Sequence, residues 1–451
     1  MSSVILVFSL LFTFGCINPP GSVSNSVSNF SIPSQSQTPN SSFMFPSDLS
    51  LCNRSLLVTS SLSRVNSSTS VIGEKNLLVI LWDPKRASDP APSKTAIEQL
   101  IFGSQTSGSI TNLTNETTVR NYFLFNSNGR FTIKKTTVLG WYSADKPSSY
   151  YWSPEDTNDA DNDGWINGHT AKWAEAIGKA DKEFDFSSYD RNRDGTLSPD
   201  ELGILIVIPQ NGPFGTNRVP LARQYPTAQP LVVDGVRIPK IAEVYAGNPL
   251  NLGIFAHELS HLYANLPDLY FPFFYPYAPG SYSLMDSSYS NSLIDPYNRF
   301  RSGWIEPKLI NKDGCYSIAT GEFFIIDKHN SDPASAFFLL ENRERNATPF
   351  DSSIQDDGIA IWQIIEDPTA YGNLSAPAGV DPPSWQNIPA TEWGRRSIRM
   401  IRPSYYPFDD SKALWKNLSD KTQLNWSDGQ KAFLITNISN SGPIMRFVIQ
   451  K

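Results

Sequence analysis

The hydrophobic pattern of the chain begins with two continuous apolar runs, at residues 76–82 and 202–208. Each run is short and is bounded by polar or turn-forming residues, and such runs are typical of strands that are buried on both faces. A third strand is expected at residues 130–138, because turn-forming residues precede it. The pattern predicts helices at residues 95–102, 118–125, 171–184 and 251–264.

The pattern changes after about residue 310. Short apolar runs at residues 322–327, 336–341 and 358–365 show no helical period, so they predict strands. The sequence therefore predicts an α+β fold. A domain with a mixed sheet is expected over residues 75–310, followed by a β-rich C-terminal domain over residues 311–451.

The N-terminal segment indicates export. Residues 1–16 are mostly apolar, too short to span a bilayer and of signal-peptide length. They end in a loose match to a lipoprotein box, so Cys16 is either lipidated, which would tether the protein to a membrane, or removed with the signal peptide. Residues 17–74 are expected to be a Ser/Asn/Pro-rich tether or a short prosegment. We expect an extracellular protein, secreted or lipid-anchored at the cell surface.

Charge and cysteine content restrict the partners and the compartment. The formal net charge is −7 and the basic residues are scattered, whereas binding of nucleic acid needs a basic face, so we expect no nucleic-acid partner. Loss of Cys16 would leave Cys52 and Cys315, which could pair in an oxidising compartment. The alternatives are two unpaired buried thiols, or Cys52 as a cap on a catalytic metal.

Two of the four histidines in the chain lie within the window 257–261, which reads His-Glu-Leu-Ser-His. If the window is helical, His257 and His261 share a face and can bind one metal ion, and Glu258 can reach a water on that ion. The alternative is a surface helix whose histidines face solvent. The pattern favours a zinc site with Glu258 as the catalytic base.

A hydrolytic zinc site needs a third protein ligand and one open position. Asn265 suits the turn that follows the helix, because Asn tolerates the left-handed conformation, and Pro267 prevents the helix from resuming. Asp268 is therefore our predicted third zinc ligand. The alternative is that Asp268 accepts a hydrogen bond from a ligand histidine and orients it.

Several motifs together resemble the immune inhibitor A family of secreted zinc metallopeptidases. Near the predicted site these are HELSH at 257–261, LPDLY at 266–270, YSLMD at 282–286 and RSGWIEP at 301–307. Further matches lie at 119–122, 126–131, 339–345, 358–362, 425–429 and 438–442, so the resemblance extends from about residue 75 to the C-terminus.

The resemblance implies a metzincin-like zinc peptidase domain with an active-site helix, and Met285 in a tight turn beneath the metal. The family has a Gly where Ala264 and Asn265 stand here, so the spacer before Asp268 is one residue longer. Tyr289 is the nearest tyrosine after the Met turn, and it is a candidate for steadying the oxyanion.

These observations predict an exported, monomeric, zinc-dependent endopeptidase that acts on proteins or peptides. Zinc would polarise the scissile carbonyl and activate a water, and Glu258 would take the proton of that water and return it to the leaving amine. One alternative is a catalytically silent calcium-binding surface protein that retains a peptidase fold. A third alternative is a zinc-dependent hydrolase that acts on a non-peptide substrate.

Two acidic loops match calcium-binding patterns. The first follows the spacing of an EF-hand loop, with Gly195 at the bend, and a strand run replaces the usual exit helix. Its predicted calcium ligands are Asp190, Asn192, Asp194, Thr196 and Glu201. The second loop has Thr170 where a Glu would stand, and its predicted ligands are Asp159, Asp161 and Asp163. The alternative for the first loop is a solvated acidic turn.

Overall fold

The structure is a computed structural model, and it describes residues 70–84, 90–103, 117–151, 168–209, 221–224, 231–269, 278–328, 336–366, 398–403, 409–426 and 429–451. These residues all belong to one compact unit, Pro46–Lys451. The predicted signal peptide with Cys16, the predicted tether up to residue 69 with Cys52, and the second predicted calcium loop with Asp159, Asp161 and Asp163 lie outside the described residues.

The described residues contain both helices and strands. The helices are α1 (Lys94–Phe102), α2 (Val119–Asn126), α3 (Ser148–Tyr151), α4 (Gly168–Ala180), α5 (Leu252–Ala264) and α6 (Pro296–Arg301). The strands are β1 (Gly73–Asp83), β2 (Phe131–Ser143), β3 (Gly203–Pro209), β4 (Leu221–Gln224), β5 (Leu231–Val233), β6 (Val236–Ile238), β7 (Lys240–Ala246), β8 (Lys308–Leu309), β9 (Gly314–Ala319), β10 (Phe323–Asp327), β11 (Ala336–Arg343), β12 (Gly358–Ile365), β13 (Ile398–Ile401), β14 (Thr422–Asn425), β15 (Lys431–Thr436) and β16 (Ile444–Gln450).

The first sheet has the order β2-β1-β3-β7-β4. Its first four strands are parallel, and β4 runs antiparallel to β7 at the edge. Alternate residues of β1 enter different cores: Leu77 and Val79 face a core shared with α1, α2 and α5, whereas Leu78 and Ile80 face a core shared with α4. Helices therefore cover both faces of this sheet, which explains why β1 is a continuous apolar run.

The C-terminal strands form two further sheets, with the orders β13-β12-β11-β10-β8 and β14-β15-β16-β9. In β11, Phe337 and Leu339 face the core that also contains α5. Phe338 and Leu340 face a third core, which is shared with the four-stranded sheet. The helix that carries the histidines thus lies in a core to which both the first sheet and the β-rich C-terminal part contribute.

The α+β class is as the sequence predicted, and the two apolar runs are the buried strands β1 and β3. The helix predicted at 251–264 is α5, and the C-terminal runs are the strands β10, β11 and β12. Two boundaries were wrong: β2 continues beyond residue 138 to Ser143, and α4 ends at Ala180 rather than at residue 184. The domain boundary near residue 310 stays a prediction.

Candidate metal centre

Helix α5 carries the His-Glu-x-x-His window and is almost entirely buried. Asn251 caps its first turn, because its side chain accepts a hydrogen bond from the N–H of Ile254 at 3.2 Å. The N–H of Gly253 donates to Asn291 Oδ1 at 2.7 Å. A Cβ at Gly253 would lie 2.0 Å from the carbonyl oxygen of Ser288. Only glycine permits this approach, so the helix begins in close contact with the 288–291 segment.

The structure brings together the side chains of His257, His261 and Asp268. The two Nε2 atoms lie 3.0 Å apart, and Asp268 Oδ1 lies 3.0 Å from the first and 3.1 Å from the second. Ligand atoms on a tetrahedral zinc ion, with bonds of ~2.0–2.1 Å, lie roughly 3.3 Å apart, so the three atoms fit such an ion. Within the described ranges, no other set of three His, Cys, Asp or Glu side chains comes within 4.8 Å.

Backbone carbonyls orient both imidazoles. His257 Nδ1 lies 3.0 Å from the carbonyl oxygen of Leu284, and His261 Nδ1 lies 2.5 Å from that of Leu266. Because a carbonyl oxygen only accepts, each neutral ring must carry its proton on Nδ1, which leaves a lone pair on Nε2. Two lone pairs and a carboxylate oxygen then face one another, and a cation between them would satisfy all three.

The turn after α5 brings Asp268 back to the two histidines. Asn265 ends the helix in the left-handed region, with φ 50° and ψ 37°, and Asn adopts this region more readily than most residues. Its N–H donates to the carbonyl oxygen of His261 at 3.2 Å. The predicted role of Asn265 in the turn is confirmed. The longer spacer is therefore compatible with the return of Asp268 to the histidines.

Lys240, at the start of β7, contacts the same turn. Its Nζ donates to the carbonyl oxygen of His261 at 2.5 Å and to Asn265 Oδ1 at 2.6 Å. A positive charge is favourable at the C-terminal end of a helix. Burial lowers the pKa of Lys240 to about 8. No local pattern in the sequence links Lys240 to positions 21 and 25 residues further along the chain, so its contact with the turn could not be predicted.

Glu258 lies beside these three side chains. Its Oε1 is 3.9 Å from His257 Nε2. Its Oε2 is buried and has no hydrogen-bond partner in the part of the chain that the structure describes. Burial raises the pKa of the Glu258 carboxyl well above its ordinary value, and the charges of Asp268 and Glu243 raise it further. A carboxyl in this environment is suited to take up a proton.

The second carboxyl of the site behaves in the opposite way. Burial raises the pKa of Asp268, but hydrogen bonds from His257 and His261 and the charge that these rings carry when protonated lower it by more, so in the metal-free protein the pKa lies well below its usual range. Two neighbouring carboxyls whose pKa values are driven apart can take different roles. Asp268 is suited to remain an anion, and Glu258 is suited to exchange a proton.

The segment around Met285 lies next to these residues. Leu284 supplies the carbonyl that orients His257, and the N–H of Leu269 donates to the carbonyl oxygen of Met285 at 2.8 Å. Met285 is fully buried. The turn at Met285 therefore supports both the helix and the chain that follows Asp268. Tyr289 lies on the next turn with 70% of its surface exposed, and its role at the oxyanion stays a prediction.

The C-terminal part of the chain holds this segment in place. Arg343 on β11 donates to the carbonyl oxygen of Tyr282 at 3.1 Å, and the Tyr282 hydroxyl donates to the carbonyl oxygen of Asp410 at 2.7 Å.

The carboxylate of Asp286 accepts a hydrogen bond from the N–H of Gly280. Burial raises the pKa of Asp286 to about 7, although that hydrogen bond opposes the rise.

In the first predicted calcium loop, backbone N–H groups donate hydrogen bonds to the side-chain carboxylates of two predicted ligands. Glu201 accepts hydrogen bonds from the N–H groups of Arg191 and Asn192, at 3.0 and 3.3 Å. Asp190 accepts one from the N–H of Gly195 at 3.0 Å, where φ is 74°. The carboxylates of this loop are not among the close sets of three described above. Calcium binding here stays a prediction.

A search of the chain against known protein families and against curated proteins found no match.

None of the described helices is both long enough and apolar enough to cross a membrane. Cys315 on β9 is disulfide-bonded, and the other two cysteines, Cys16 and Cys52, lie outside the described residues.

Proposed function

We propose that this protein is an exported, zinc-dependent endopeptidase with a metzincin-like catalytic domain. The observation that carries the proposal is the convergence of His257 Nε2, His261 Nε2 and Asp268 Oδ1 at 3.0–3.1 Å. Beside them, a carboxylate oxygen of Glu258 has no hydrogen-bond partner among the described residues, which supports a catalytic role. The three side chains supply the nitrogen and carboxylate donors that zinc prefers in hydrolytic sites.

Each residue of the proposed site has a separate role. A bound zinc ion supplies Lewis-acid polarisation of the scissile carbonyl and lowers the pKa of a water to about 7. His257, His261 and Asp268 would hold the ion. Glu258 takes up the proton of the attacking water at its free oxygen and passes it to the amine that leaves. The Leu284 and Leu266 carbonyls keep the imidazoles in the tautomer that this arrangement needs.

An open strand edge supports an extended peptide as the substrate. Strand β4 lies at the edge of the first sheet and pairs antiparallel with β7. On its other side no strand pairs with it in the described parts of the chain. A free strand edge can bind an extended peptide through backbone hydrogen bonds, without requiring a particular side chain. We propose that a polypeptide adds to this edge and presents its scissile bond to Glu258.

The disulfide at Cys315 supports the proposed export, because disulfides persist in oxidising compartments. Casein cleavage by the full-length protein tests the function: cleavage should stop when a chelator removes the metal and return when zinc is restored. Chelator-resistant cleavage, or zinc binding without any cleavage, would contradict the proposal. The second outcome would favour a catalytically silent binding protein.

A further inference from the structure

Two side chains outside the predicted ligand set secure the turn that carries Asp268. Lys240 Nζ donates both to the carbonyl oxygen of His261 and to the side chain of Asn265, at 2.5 and 2.6 Å. We infer that Lys240 and Asn265 form a bracket that positions Asp268 and His261, and thereby sets the affinity of the site for zinc. This inference rests on the proposed zinc-dependent function.

The bracket joins the turn to a rigid support. Lys240 is the first residue of β7, which lies between β3 and β4 in the first sheet. Its ammonium group reaches the last turn of α5, where it is a second donor to the carbonyl oxygen of His261, which also accepts from the N–H of Asn265. A charged donor at that point gives hydrogen bonds roughly twice as strong as neutral ones. Lys240 therefore fixes the end of α5 relative to the first sheet.

The backbone hydrogen bonds within the turn itself are long. The N–H of Asn265 lies 3.2 Å from the carbonyl oxygen of His261, and the N–H of Leu266 lies 3.5 Å from that of Ser260. The second distance is at the limit for a hydrogen bond, so these two backbone bonds by themselves hold the turn weakly. Asn265 also adopts a positive φ, which is unfavourable for any residue with a Cβ.

The same turn controls two of the three proposed ligands. The carbonyl of Leu266 orients the His261 ring, and Asp268 follows two residues later. If the bracket is lost, both His261 and Asp268 gain freedom. His257 keeps its own support from Leu284. Lys240 therefore acts as a positioning residue, because it contacts the peptide group of one ligand residue and the turn that leads to the other.

The variant Lys240→Met tests this inference in the full-length protein. Loss of a group that orients a metal ligand typically weakens metal binding by about 10–100-fold, and we expect a zinc affinity reduced in this range by chelator competition. The visible spectrum of the Co²⁺-loaded variant should differ from that of the wild type. Lys240→Arg, which keeps the positive charge, should recover most of the affinity.

Lys135→Met is the matched control. Lys135 is a partly buried lysine that pairs with Glu98 at 2.5 Å, and it lies on β2, at the opposite edge of the same sheet. Its loss should change the melting temperature of the metal-free protein about as much as Lys240→Met does. Its zinc affinity should remain that of the wild type. An equal loss of zinc affinity in both variants would overturn the inference.

Asn265→Gly separates positioning from stability. Glycine takes the left-handed conformation without strain, and this relief offsets the loss of the hydrogen bond to Lys240, so the metal-free variant should melt close to the wild type. It lacks the amide oxygen that Lys240 contacts, so its zinc affinity should fall. Wild-type zinc affinity in both Asn265→Gly and Lys240→Met would overturn the bracket. Failure of the wild-type protein to bind zinc would overturn the proposed function, and the bracket with it.

Discussion

The Nε2 atoms of His257 and His261 lie 3.0 Å apart across one turn of α5. Each ring directs its other nitrogen at a backbone carbonyl, so each neutral imidazole has a lone pair on Nε2. Two acceptors held this close repel one another unless a positive charge lies between them. This relationship is the physical reason for proposing a metal at this place.

Removal of Asp268 tests whether it is a ligand. The variant Asp268→Ala should weaken zinc binding by more than ~100-fold, which exceeds the ~10–100-fold loss expected for a residue that only orients a histidine. Isothermal titration with zinc measures the difference. Asp313→Ala is the control, because Asp313 is an exposed carboxyl outside the triad, and it should bind zinc as the wild type does. A loss below about tenfold in Asp268→Ala would exclude Asp268 as a ligand.

Glu258→Gln should separate metal binding from catalysis. Without a carboxylate to take up the proton, peptide cleavage should fall by at least ~10²–10⁴-fold. Zinc binding should be retained, since Glu258 is not one of the three converging side chains. Glu306→Gln, at an exposed ion pair with Arg130, serves as the control and should keep full activity. Full activity in Glu258→Gln would rule out its role as the base.

Calcium should stabilise the protein if the loop from Asp190 to Glu201 binds it. At a calcium concentration 100 times the Kd, the free energy of unfolding should rise by about 2.7 kcal/mol. Thermal melts of chelator-stripped protein, with and without added calcium, measure this. Glu201→Gln should remove the increment, whereas Asp200→Asn should keep it, because the exposed Asp200 pairs with Lys75. An unchanged melting temperature in the wild type would refute calcium binding.

The pKa of Asp286 predicts a pH-dependent stability. Its folded value is about 7, above the unfolded value of about 3.9. The protonated form therefore stabilises the fold fully below about pH 4, and this contribution is lost as the pH rises through about 7. Asp286→Asn lacks this loss. Relative to the wild type, its free energy of unfolding should rise by ~2–4 kcal/mol between pH 4 and pH 8.

Urea unfolding at several pH values measures this difference, and Asp420→Asn provides an exposed carboxyl for comparison. Because the comparison is between variants at each pH, contributions from titrating groups that do not interact with Asp286 cancel. A difference between Asp286→Asn and the wild type that stays constant from pH 4 to pH 8 would show that Asp286 titrates normally.

Local sequence signals were sufficient for much of the first sheet and for the candidate site. The continuous apolar runs gave β1 and β3, and the spacing of His257 and His261 placed both on one face of α5. Asn265 indicated the turn after the helix. These predictions succeeded because strand burial, helical periodicity and left-handed turns depend on residues that are close in the chain.

Boundaries that depend on distant partners were wrong. Strand β2 continues to Ser143 because it pairs with β1 as far as Asp83, although Gly140 interrupts the apolar run in the sequence. Helix α4 ends at Ala180 because Phe184 leaves the helical path and stacks on Tyr189, with ring centroids 5.4 Å apart. In both cases a contact formed by the fold outweighs the local preference.

The sequence by itself determined which residues supply the donor atoms: two histidines one turn apart, a carboxylate after a turn, and a glutamate beside them. Only the tertiary structure decided how those atoms are aimed. The Leu284 carbonyl comes from 27 residues beyond His257, and Lys240 lies 21 residues before His261. Hydrogen bonds over such separations form only in the folded chain. Packing determines which partner comes within reach of a ring nitrogen or of a helix end.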